Sequence, residues 1–177
     1  MGRPIRRVVT GHDENGVAKV IMDGPAECIL QRPARPGVTL TNLWQLDTSL
    51  AVMETDEDTV TGPLILHPPK HGSIFRIVQF DPEDAEQLAT LDGKEAFADM
   101  GAADNVVEGA RHPFMHRTDS VDYAVILTGE IFMMMDEDEV LLKAGDTVIQ
   151  QGTNHAWSNR GTEPCQIAFI LVDAVKT

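Results

Sequence analysis

An antiparallel β-sandwich or barrel is the fold this sequence predicts. Strand-length apolar segments recur from Tyr123 to Val172, each closed by a glycine or an acidic turn, and helix signals are confined to the stretch after Asp81. The alternating strand and helix pattern that would signal a parallel α/β sheet is absent. A length of 177 residues suits one structural domain with a substantial core.

The elements follow in order. Arg6 to Thr10 and Ala18 to Met22 flank the turn Asp13-Glu14-Asn15-Gly16, which is hairpin spacing. Pro33, Pro36 and Gly37 break the chain before three expected strands at Thr39 to Leu46, Leu64 to Leu66 and Ser73 to Phe80. Asp81 is an N-cap candidate, with Pro82 at the first helical position and Glu83 and Asp84 in the first turn. This predicts a helix to about Leu91, stopped by Asp92-Gly93. Lys94 to Met100 offers a second short helix, and residues 101–109 a loop over one end. Five strands then follow at Tyr123 to Leu127, Ile131 to Met135, Val140 to Leu142, Thr147 to Gln150 and Gln166 to Val172. Successive strand residues face opposite ways, so Met133, Met134 and Met135 cannot share one core, and at least one is expected at an interface or pocket.

Composition narrows the function classes. With 28 acidic against 14 basic residues the formal charge is -14, which repels nucleic acid and anionic membrane surfaces. The basic start lacks the apolar stretch of a secretory signal, and the longest apolar runs fall far short of the roughly 20 residues that span a bilayer. A soluble, cytoplasmic protein is expected. Cys28 and Cys165 lack metal-ligand spacing and read as reduced thiols. No glycine-flanked serine elbow, phosphate-cradling glycine loop or His-Glu-x-x-His helix occurs, and His116, Asp119 and Ser120 crowded at one strand mouth are not a nucleophile triad.

The informative stretch is HPFMHRTDSVDYAVILTGE, residues 112–130. His116, Asp122 and Gly129 stand where the first motif of the cupin superfamily has its first histidine, its glutamate and its closing glycine, and Thr118 occupies the place of the second histidine. Gly145-Asp146 followed by Gly152, His155 and Asn159 is similar to the second motif, one residue shorter. The resemblance spans about residues 111–172 and is nearest a branch found in bacteria and fungi that carries "HRTxSxDY" and "GTxHAWxN". It implies a mainly β protein, a jelly-roll antiparallel barrel with an N-terminal strand extension and one or two short helices. Residues 1–110 would pack on or complete the barrel, and 111–177 would hold the core motifs. It also implies a homodimer, expected through edge strands of the N-terminal region.

His116, Thr118 and Asp122 share parity, so on extended backbone they project to one side, and His155 enters from a later strand. Two imidazoles and a carboxylate form the ligand set of one divalent metal ion, suited to Fe and acceptable to Zn, Mn or Ni. Asp122 adjoins the apolar run Tyr123 to Leu127, so its carboxylate needs a partner: a metal, a histidinium, or Arg111 or Arg117. Thr118, Arg117 and Trp157 are the expected pocket contacts, Trp157 by its shared parity with His155, with a core indole as the alternative. Asp119, or a histidine outside the metal ligands, is the candidate general acid or base. Tyr123 faces away from Asp122 and is expected in the core, while Gln150, Gln151 and Asn154 bring amides near the second motif, with solvated turn residues as the alternative. His12 and His112 are expected at the surface, and the His67 to His71 echo of the His112 to His116 spacing is read as coincidence.

Three functions are compatible. The first is a metal-dependent enzyme acting on a small oxygen-bearing organic molecule by oxygenation, decarboxylation, dehydration or isomerisation. The second is a metal-free barrel in which His116, His155 and Arg117 bind a small molecule. The third is a structural module that supports a dimer.

Overall fold

A computed structural model describes residues 4–15, 17–53, 55 and 57–175. The N-terminal hairpin forms as β1 (Arg6–His12) and β2 (Ala18–Pro25), a two-stranded antiparallel sheet of its own. Gly16, the last residue of the expected turn, lies outside the described residues. Next come β3 (Ile29–Arg32), β4 (Arg35–Leu46) and β5 (Ser73–Phe80). Two short helices, α1 (Ala85–Leu88) and α2 (Gly93–Ala98), lead through a 3-10 turn at Ala103–Asn105. The remaining strands are β6 (Ser120–Thr128), β7 (Glu130–Met134), β8 (Glu139–Lys143), β9 (Thr147–Gln151), β10 (Ala156–Ser158) and β11 (Cys165–Asp173).

A six-stranded sheet runs β3-β4-β5-β11-β6-β9 and a three-stranded sheet runs β10-β7-β8, every pairing antiparallel. The core lies between them: Val78, Phe80, Ile126 and Ile167 from the larger sheet meet Ile131, Met133, Leu142 and Trp157 from the smaller. This is the sandwich arrangement predicted from strand spacing. Gly129 makes the sharp β6 to β7 turn with φ +69, and a Cβ there would stand 2.8 Å from the Pro164 carbonyl oxygen. Both facts call for glycine.

Several local expectations change. Leu64 to Leu66 is not a strand, although Leu64 and Leu66 are buried in the core from a loop. The first helix is one turn long and is capped by Asp84, whose side chain accepts from the amides of Glu86 and Gln87. The cause lies outside the helix. Asp81 N–H donates to Gly37 O and Glu83 N–H to Asn159 O, which holds residues 81–83 extended. Met133 joins the main core, while Met134 turns to the other side and packs with Met115 and Ala156 in a second cluster. Tyr123 is 48% exposed on the outer face of the large sheet, in a cross-strand row with Phe75, Ile170 and Ile149. Its parity relative to Asp122 holds, but the outward face is uncovered. Among the described residues no helix is long and apolar enough to cross a membrane.

Candidate functional site

The two cupin-like histidines meet through the backbone. His116 N–H donates to His155 O at 2.9 Å and His155 N–H to His116 O at 3.0 Å, an isolated antiparallel bridge between the strand mouth and the turn before β10. A doubly bonded cross-strand pair puts both side chains on one face, and the imidazole centroids lie 4.5 Å apart. Phe97 on α2 closes on the other side of His116 at 4.6 Å. A Cβ on Gly93 would fall 2.0 Å from Pro113 O, so only glycine lets the start of α2 sit this close to the segment that carries His116.

Both rings are tied at Nδ1. His116 Nδ1–H donates to the Phe114 carbonyl at 3.0 Å, which leaves a lone pair on Nε2. His155 Nδ1 lies 3.0 Å from the Thr153 carbonyl, to which it donates when protonated, and 2.9 Å from the Gln150 amide nitrogen, from which it accepts when bare. Exchanging these partners switches the tautomer, so Nε2 of His155 can present either a lone pair or an N–H. Gln150 is itself fixed by accepting from Gly152 N–H at 2.9 Å, and it is buried rather than in a solvated turn.

Burial pushes both imidazoles below the ordinary 6.5, and for His116 the nearby His155 adds to the effect. Both are neutral at pH 7. The unfolded chain therefore binds protons on these rings more readily than the folded one. The stability they contribute is complete above about pH 6.5 and is lost as pH falls through their lowered folded values. Thermal unfolding followed from pH 7.5 to 5 should show the midpoint falling on acidification. A His116→Gln, His155→Gln double variant should show a flatter profile, and equal slopes would contradict neutral burial of the pair.

These rings open on a cavity. Thr118, Asp122 and Trp157 line it as well. Trp157 packs edge-on against Phe169 (centroids 5.4 Å) and His155 (6.2 Å), so it is at once a core indole and a cavity wall. Thr118 is buried, and Ser120 Oγ lies 2.8 Å from its hydroxyl and 2.6 Å from the Asp122 carboxylate. Burial raises the Asp122 pKa, which Ser120 and the charge of Arg76 oppose. Its partner is thus a serine hydroxyl and a distant cation, neither Arg111 nor Arg117.

Two expected site residues leave the cavity. Arg117 and Asp119 alternate with His116, Thr118 and Ser120 along the chain and are exposed, with neither among the residues that line it. The Arg117 backbone is held instead by Asn105, its N–H donating to Asn105 O and its carbonyl accepting from Asn105 Nδ2. Arg111 lies at the surface against Glu139. His112 is buried, not at the surface: its Nδ1 accepts from Phe114 N–H and its Nε2 faces Glu83 at 3.5 Å. His67 contacts Asn105 at 3.1 Å, and His71 is exposed.

The cavity also holds residues that the sequence reading passed over. Arg32, Arg35 and Arg76 line it. Arg35 stacks on the Phe114 ring at 3.4 Å and faces Glu83 at 3.9 Å. Burial lowers Arg35 to about 9 and Arg76 to about 10, which leaves both charged at neutral pH. A signal existed for Arg76: in Ile74-Phe75-Arg76-Ile77-Val78-Gln79-Phe80 it has the parity of the core residues.

The cupin domain family matches residues 105–172. That stretch of the chain is a cupin domain. The chain is similar to phomopsin biosynthesis cluster protein C' of Diaporthe leptostromiformis, at 47% identity over 34% of this chain and 33% of that protein. It is also similar to oryzines biosynthesis cluster protein J of Aspergillus oryzae, at 27% identity over 96% of this chain and 83% of that one. Cupin-domain-containing oxidoreductase fogC of Aspergillus ruber matches at 36% identity over 33% of this chain and 31% of its own length. The chain thus spans about a third of the length of phomopsin biosynthesis cluster protein C'.

Proposed function

We propose that this cupin is an enzyme that transfers protons on a small oxygen-bearing organic molecule in the cavity, in a dehydration, isomerisation or decarboxylation. One observation carries the reading: two neutral imidazoles share one face of a cavity, one presenting a lone pair and the other able to present an N–H. His116 Nε2 then accepts a proton from the substrate, and His155 returns one to the developing oxyanion or leaving group. The aromatic walls exclude water around them. Relatives with biosynthetic-cluster and oxidoreductase names support an enzyme over a structural module.

A divalent ion such as Fe, Zn, Mn or Ni at a catalytic centre is held by about three protein ligands. His116, His155 and Asp122 have the right chemistry and line one cavity, with Ser120 holding Oδ1 of Asp122, but among the described residues no three His, Cys, Asp or Glu stand close enough together to hold an ion. The proposed proton transfers are therefore given to the two imidazoles, with no step routed through an ion.

The test is incubation in D2O with a panel of enolisable ketones, oxo acids and hydroxy acids, read by NMR. Deuterium should enter at carbon next to a carbonyl, should survive chelator dialysis, and should vanish in the histidine variants. Absence of exchange across the panel, or exchange that requires one metal ion per chain by elemental analysis, would sink the proposal.

We also propose that the chain is a cytoplasmic homodimer. The apolar row Phe75, Ile170, Tyr123 and Ile149 and the two-stranded β1-β2 ribbon, marginal on its own, both gain from a covering copy. Light scattering should return twice 19.4 kDa, and Tyr123→Lys should return one protomer.

A further inference from the structure

The charge of the cavity runs opposite to that of the protein. In a chain of net charge -14 its lining carries three guanidiniums, Arg32, Arg35 and Arg76, and a single carboxylate, Asp122. Two of the three are accounted for within the protein. Arg32 donates to the Ala96 carbonyl, and Arg35 lies on the Phe114 ring beside Glu83. Arg76 is not. It is 2% exposed, its Nη2 donates to Ile65 O at 2.8 Å, and its Nε and Nη1 find no acceptor.

A buried guanidinium with idle donors is costly, and the group that satisfies a planar fork best is a carboxylate. Asp122 sits on the same inward face, but Ser120 engages it and it makes no hydrogen bond to Arg76. Asn42, paired with Arg76 across the β4-β5 ladder, has its own Oδ1 without a donor, so these two do not meet either. Beyond the arginines and the polar group of His116, His155, Thr118 and Asp122, the walls are Phe80, Phe97, Phe114, Trp157 and Phe169 with aliphatic neighbours, which suit a ligand with an apolar body.

We propose that the cavity takes a carboxylic acid with an apolar or aromatic body, its carboxylate on Arg76 and its body against the phenylalanine and tryptophan walls, within reach of His116 and His155. This rests on the reading of the cavity as the substrate site and narrows the substrate class to apolar carboxylates.

The test compares the acid and amide forms of one probe. Trp157 lines the cavity, and replacing the other tryptophan, Trp44→Phe, makes its fluorescence the reporter. Phenylacetate and 4-phenylbutyrate should bind about 10- to 100-fold more tightly than their neutral amides, the worth of a charge-assisted bidentate contact. Arg76→Met should bring that ratio near one while the amides bind as before, and Arg76→Lys should restore part of it. Equal binding of acid and amide to the protein with Arg76 intact overturns the proposal, whether or not the Arg76→Met chain folds, and means that Arg76 spends its donors on Asn42 or Asp122. An acid preference that depends on Arg76, with no deuterium exchange anywhere in the panel, leaves this inference standing and removes the proton-transfer reading instead.

Discussion

Replacing His116 or His155 with glutamine should lower the rate of solvent exchange or turnover by about 10²- to 10⁴-fold each, the usual worth of a positioned general acid or base. Glutamine keeps a polar side chain of similar reach but cannot take and return a proton at neutral pH. The backbone bridge between the two residues uses only N–H and C=O groups, so it survives in both variants. The folded state should therefore persist, and far-UV circular dichroism checks this. Because the rings work as a pair, the double variant should fall little further than the worse single one. A loss below tenfold in both single variants would remove the imidazoles from the chemistry. The rate should also collapse on acidification, since a protonated His116 offers no lone pair, with the midpoint below the ordinary 6.5 because burial lowers the ring.

The second large effect falls on stability. Trp157→Ala should cost about 3 to 5 kcal/mol, the range for truncating a buried tryptophan. Trp157 is 5% exposed, packs edge-on to Phe169 and tilts against Phe80 at 6.5 Å, so its indole joins the two sheets. It borders a cavity already, which places the cost toward the lower end. Denaturant unfolding measures the loss, and Trp157→Phe should retain most of the stability. If Trp157→Ala unfolds within 1 kcal/mol of the parent, the indole is a pocket wall with no part in the core.

The sequence by itself determined the sandwich, the hairpin, the glycine between β6 and β7, and the shared face of His116, Thr118 and Asp122. All of these depend on strand parity or local backbone conformation, which are written into neighbouring residues. Parity also placed Arg117 and Asp119 opposite His116 and Thr118, a conclusion the alternation already contained. Only the tertiary structure decided which of the two faces is covered. Tyr123 lies outward on a face of the large sheet that stays half-exposed, whereas Gln150 is buried against Thr153 and His155 and His112 beside Glu83. The short first helix has the same origin, since tertiary hydrogen bonds to Gly37 and Asn159 hold extended a segment whose own composition favours a helix. The union of His116 with His155, the capture of Asp122 by Ser120 and the arginine lining of the cavity join residues far apart in the chain or alternative rotamers of near ones. Spacing along the sequence lists donors. Their convergence is set by how the two sheets and α2 pack, because burial and long-range pairing are properties of the whole core.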